Sequence, residues 1–134
     1  MKVLADTHLI LWALTGDAKL PEEARVIMTN ATNSVFCSAA SVWEVAIKHM
    51  SRPDKIMMSG SDMIAKCQQA GFVFLPIQPN HIQALEKLIK RDDAPPHNDP
   101  FDRILIAQAK AEGMMLITHD SLIPYYTEDC IKFV

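Results

Sequence analysis

Residues 97–120 read HNDPFDRILIAQAKAEGMMLITHD, and this stretch decides the architecture. Asp99 before Pro100 marks a helix start, because the Asp side chain can accept from the first free N–H groups and proline at the first helical position has no N–H to leave unpaired. FDRILIAQAKAEG then continues as a helix to Gly113. The next five residues, MMLIT at 114–118, form an unbroken apolar run too short for a helix, which predicts a buried strand ending at His119-Asp120. A helix feeding directly into such a strand is the repeating unit of a parallel sheet, whose strands are covered on both faces.

The same alternation extends to both ends. Lys2–Ala5 is a short strand ending at Asp6, followed by a helix over 7–14 (THLILWAL) that Thr15-Gly16-Asp17 stops. Pro21-Glu22-Glu23 opens a second helix running toward Asn30, and residues 33–38 (NSVFCS) form a strand. Ser41 precedes VWEVAIKHM, a helix with Glu44 amid apolar neighbours, ended by Ser51-Arg52-Pro53-Asp54. A helix over 60–70 capped by Gly71, a strand over 72–77 and an amphipathic helix over 80–91 follow. Residues 92–100 are a Pro-rich loop; after the decisive stretch come a short helical or turn segment at 121–126 and a strand at 130–134. No hairpin turn separates the strands, so an α/β fold with a mainly parallel sheet between helices is expected. Trp12 and Trp43 are expected in the core.

With 134 residues, the chain fits a single domain over 1–134. Apolar residues make up 49% and charged residues 22%, a soluble globular balance. The net charge of −3 argues against a broad basic face for duplex DNA, so any nucleic-acid contact must be local. Cys37, Cys67 and Cys130 are odd in number and lack C-x-x-C spacing, which suggests neither a disulfide framework nor a zinc site and fits a reducing cytoplasm. Asp6, Thr7 and His8 interrupt the first apolar run, unlike a signal peptide, and no stretch reaches the roughly 18 apolar residues of a membrane span.

In an open parallel sheet, ligands sit outside the carboxyl ends of the strands. Asp6 and Asp120 fall at such ends, Asp102 lies in the first turn of a crossover helix, and Glu44 lies one turn into the helix after the second strand. Four carboxylates meeting there need cations or protons to offset their repulsion. Hard oxygen ligands without clustered Cys or His select Mg2+ or Mn2+, which can orient water and stabilise the transition state of phosphodiester hydrolysis. Neutralising the four acids would turn −3 into +1, leaving the cations as the local field for phosphate.

Simpler roles stand beside these. Asp99 and Asp102 suit a helix start, and Asp6 suits a strand end, whereas Glu44 inside VWEVAI faces unpaired burial. Thr7 and Thr118 can hydrogen-bond carboxylates or substrate, or serve as caps. His8, His97 and His119 flank the acids as proton carriers, phosphate contacts or hydrogen-bonded structural groups. Lys48, His49, Arg52, Lys55 and Arg103 are candidate phosphate contacts, with solvated surface as the competing role.

ADTHLILWAL at the start, SAASVWEVAIK in the middle and HNDPFDRILIAQAKAEGMMLITHD near the end resemble a PIN domain, specifically a VapC-type toxin ribonuclease of a toxin–antitoxin pair. The resemblance spans almost the whole chain, and DPFDRILIAQA followed by LITHD is its most specific piece. It implies a three-layer α/β/α sandwich, a homodimer, Mg2+- or Mn2+-dependent endonucleolytic cleavage of RNA through a metal-activated water, and inhibition by a cognate VapB-like antitoxin, with DNA reached only through that antitoxin. The family's metal-binding carboxylates match Asp6, Glu44, Asp102 and Asp120, with Thr118 as a supporting hydroxyl and Asp99 as an accessory ligand or cap. All four acids are present.

Three alternatives compete. A haloacid-dehalogenase-like phosphatase needs a second acid two residues after the first, where His8 stands, and a receiver domain needs a lysine at the end of its last strand, whereas Lys132 lies inside it. A non-catalytic module would use the same groove only to bind metal, RNA or a partner.

Overall fold

A computed structural model describes residues 1–134. Five strands, β1 (Lys2–Ala5), β2 (Ser34–Ser38), β3 (Val73–Leu75), β4 (Met115–Thr118) and β5 (Ile131–Phe133), form one sheet in the order β3-β2-β1-β4-β5. Every pairing is parallel. The helices are α1 (Thr7–Thr15), α2 (Glu22–Thr29), α3 (Ala39–Ser51), α4 (Gly60–Ala70), α5 (Pro79–Leu85) and α6 (Pro100–Glu112), with a 3-10 turn at Ile123–Tyr125.

Strand alternation divides the core. Val3 and Ala5 of β1 pack with Leu9, Ile10, Ala24, Met28, Val45 and Met63, on the face covered by α1 to α4. Leu4 between them packs with Leu105, Ile106, Leu116 and Ile123, on the face covered by α6 and the 3-10 turn. The result is the expected three-layer α/β/α sandwich. At the end of α6, Gly113 adopts φ 66°, a left-handed cap that lets its N–H return to Ala109 O and turns the chain into β4.

Several boundaries differ from the sequence reading. The third helix starts at Ala39 rather than after Ser41, because the Ser38 hydroxyl at the end of β2 accepts from Ala40 N at 3.0 Å. The helix expected over 80–91 stops at Leu85; beyond it the backbone bonds elsewhere, Arg91 N to Tyr125 O at 2.8 Å and Thr127 N to Ile89 O at 2.9 Å. Trp43 is not core. It is 59% exposed and meets Phe101 edge-on at 5.1 Å, because Glu44 and Val45, its helical neighbours, take the inward positions.

The strand order reverses between β1 and β4: from β1 the chain first builds outward through β2 and β3, then returns to lay β4 and β5 on the other side. The carboxyl ends of β1 and β4 therefore lie side by side where the connections diverge, which is the crevice such folds offer to ligands. Asp6 follows β1 directly, and its N–H extends the ladder to Ile117 O at 3.1 Å.

Candidate active site

Asp6 is anchored by three donors. Oδ1 accepts from Leu9 N at 2.9 Å, capping α1, and Oδ2 accepts from the Thr118 hydroxyl at 2.5 Å and from His119 N at 3.2 Å. A carboxylate has about four acceptor positions, so the buried Asp6 keeps about one to offer. Thr118 works in both directions, since its oxygen also accepts from Asp120 N at 3.0 Å. The hydroxyl thereby fixes the residues after β1 and β4 against each other. Asp120 then uses Oδ1 to accept from Leu122 N at 2.8 Å.

Glu44 projects inward from α3 and is 3% exposed. Its Oε2 pairs with Lys48 Nζ at 2.7 Å, one helical turn on, while Oε1 is buried with no hydrogen-bond partner. A buried carboxylate oxygen without a donor is costly, and in native proteins it marks a site completed by something other than protein. Asp102, in the first turn of α6, places Oδ2 3.1 Å from His97 Nε2. Burial pushes its pKa up to about 6; the nearby charges of Asp99, Asp120 and Glu44 add to that, and the His97 hydrogen bond opposes them.

Ligating atoms of His97, Asp102 and Asp120 lie within 4.8 Å of one another. Glu44 and Asp99 are close enough for their charges to act on Asp102, and Asp6 joins Asp120 around a hollow of about 240 Å³ with His8, Trp12 and His119. Acids from four separate stretches of the chain thus share one rim. Glu44 Oε1, Asp102 Oδ1 and Asp120 Oδ2 have no donor from the protein, which suits a hard divalent cation.

The other candidates take different places. Asp99 is the N-cap of α6, accepting from Phe101 N at 2.9 Å and more weakly from Asp102 N at 3.4 Å. Thr7 bonds no carboxylate: its hydroxyl donates to Ser41 Oγ at 2.8 Å and ties α1 to α3. Arg103 is half-buried, with its Nε buried and unpartnered. His49 and Arg52 are engaged with the segment after α3, His49 Nδ1 lying 2.6 Å from Ile56 O and Arg52 Nε 3.7 Å from Asp54 Oδ1. His119 Nδ1 lies 2.6 Å from Val134 O, and its ring stacks on Phe133.

In the sequence His97 stands out only as a residue flanking the acids. It sits at the end of a Pro-rich loop, where no periodicity tells which side chains turn inward. Its spacing five residues before Asp102 was the available signal.

The sequence profile of the PIN domain family matches residues 3–126. A comparison with curated protein sequences finds no match. Among solved structures, VapBC2 from Rickettsia felis, bound to a DNA fragment from its promoter, superposes with a TM-score of 0.67 at 12% identity, covering 99% of this chain and 98% of that one. VapC20 of Mycobacterium tuberculosis, a sarcin-ricin loop cleaving toxin, gives 0.60 at 15% identity, covering 91% and 92%. At these identities the likeness is one of fold, and the family follows from the sequence profile. The chain belongs to the PIN domain family.

Proposed function

We propose that this protein is a VapC-like endoribonuclease toxin that depends on Mg2+ or Mn2+, cleaves cellular RNA and is neutralised by a VapB-like antitoxin. The observation that carries the reading is the convergence of Asp6, Glu44, Asp102 and Asp120 at the sheet's switch point, with the buried Glu44 Oε1 lacking any protein donor. Family membership and the fold shared with two VapC-containing structures support it.

Asp6, Glu44, Asp102 and Asp120 would hold the ion. When bound, a divalent cation supplies a Lewis acid for the scissile phosphate and an activated water. The protein's contribution is to fix its acids before substrate arrives. Thr118 and His119 N hold Asp6, Leu122 N holds Asp120, and Lys48 holds Glu44, so little reorganisation remains at the moment of reaction. Asp99 serves as the cap that starts α6 and thereby places Asp102.

A homodimer acting in the cytoplasm, with DNA contacted only through the antitoxin, completes the proposal. No helix is long and apolar enough to cross a membrane.

The test is cleavage of a mixture of structured and single-stranded RNAs by antitoxin-free protein, with Mg2+ or Mn2+, with EDTA, and with Asp6→Asn in parallel. Discrete fragments that require metal and vanish in the variant support the reading. Metal-independent RNA binding without turnover would replace it with the binding-module alternative.

A further inference from the structure

We propose that His97, oriented by Tyr126, is the positioning residue that fixes the Asp102 carboxylate through an Nε2–H donor. The proposal rests on the assignment of Asp102 to the metal-binding rim.

Both ring nitrogens of His97 are engaged. Nδ1 lies 3.1 Å from the Tyr126 hydroxyl and Nε2 lies 3.1 Å from Asp102 Oδ2. The histidine is 7% exposed and the tyrosine 3%, so water does not compete for these groups. With both nitrogens hydrogen-bonded, His97 meets the rim through Asp102, whose Oδ1 stays open.

The direction of the chain follows from donor chemistry. An ionised Asp102 carboxylate can only accept, so the Nε2 atom 3.1 Å from its Oδ2 is the one that carries the hydrogen. Nδ1 of the neutral ring is then an acceptor, and the Tyr126 hydroxyl donates to it at 3.1 Å, a shorter contact than the 3.5 Å to the His97 carbonyl. With Nδ1 accepting, the neutral ring carries its proton on Nε2 and donates it to Asp102 Oδ2. One carboxylate oxygen is thereby held, and Oδ1 is left without a protein donor.

The surrounding backbone holds this chain together. Lys90 forms an antiparallel bridge with Tyr126, and its Nζ donates to His97 O at 3.3 Å. The rings of His97 and Tyr126 meet nearly perpendicular, at 5.6 Å. The Pro-rich loop and the segment after β4 are thus clamped onto the first turn of α6. An orienting group of this kind typically changes metal affinity by about 10–100-fold when removed.

Two measurements on the full chain test this. The first is a long-range 1H–15N NMR spectrum of the metal-free wild type near pH 7.5. His97 is expected as the Nε2–H tautomer, with Tyr126→Phe lowering that population; a dominant Nδ1–H tautomer in the wild type overturns the proposal. The second is Mn2+ titration by calorimetry. His97→Gln, whose amide N–H reaches the Nε2 position, should stay within about threefold of wild type, while His97→Ala weakens binding by about tenfold or more and Tyr126→Phe by less. Equal losses in the Gln and Ala variants would make His97 a packing residue and overturn the proposal. Asp102→Asn separates the rim from its support: if it abolishes Mn2+ binding while His97→Ala does not weaken it, only the role of His97 falls. If the wild type binds no Mn2+, both readings fall.

Discussion

The Thr118 hydroxyl donates to Asp6 Oδ2 at 2.5 Å across 112 residues of sequence, tying the end of β4 to the end of β1. The contact is buried, and the same oxygen accepts from Asp120 N at 3.0 Å. Thr118→Val keeps the shape and removes both bonds, leaving Asp6 Oδ2 with only His119 N and leaving Asp120 N without its acceptor. A loss of about 1–3 kcal/mol in chemical denaturation is expected, with lower RNA cleavage, and Thr118→Ser should recover most of both. A Thr118→Val protein as stable as wild type would show that the tie is not needed.

Asp102 gives the metal-free protein a distinctive pH dependence. Its pKa is pushed up to about 6, chiefly by burial, so the folded state holds this proton more tightly than the unfolded chain does. The resulting stability is fully present below the ordinary carboxylate pKa of about 4 and is lost as pH rises through about 6. In EDTA, Asp102→Asn should therefore gain stability relative to wild type between pH 4 and pH 7. Urea denaturation at both pH values reads the difference. A difference that does not change with pH contradicts the assignment.

Trp43 and Leu105 should respond oppositely to truncation. Trp43 is 59% exposed, and Trp43→Ala should cost less than about 1 kcal/mol, whereas Leu105, 1% exposed under β4, should cost about 2–5 kcal/mol when changed to Ala. Parallel thermal melts decide this.

The fold was largely legible because strand and helix periods are local. DPFD followed by MMLITHD identified a capped helix and a buried strand, and the acids at strand ends followed from the topology that such units build. Less legible were features that depend on contacts between distant segments. The helix expected to Arg91 ends early because Ile89, Lys90 and Arg91 bond to residues 125–127, some 35 positions away. Trp43 was expected inside because it is large and apolar, yet Glu44 takes the inward position beside it. The buried His81 belongs to the same class: its Nε2 lies 2.8 Å from Glu112 Oε1, and nothing near it in sequence announces that partner.

The three thiols should separate by access. Cys37 and Cys67 are fully buried, and the neighbouring Cys67 thiol together with burial pushes the Cys37 thiol well above its ordinary range, whereas Cys130 is partly exposed. A disulfide reagent acting on native protein should modify Cys130 first, with the other two reacting only on unfolding. Early labelling of Cys67, read by peptide mass, would mean that α4 opens readily from the sheet.

The proposed function requires the acids from four stretches of the chain to hold a divalent cation together. Anomalous diffraction from crystals equilibrated with Mn2+ tests it most directly. A peak is expected among the carboxylates of Asp6, Glu44, Asp102 and Asp120, and it should disappear in Asp102→Asn crystals. An empty rim at Mn2+ concentrations that support RNA cleavage, or a peak bound elsewhere and indifferent to Asp102, would contradict it.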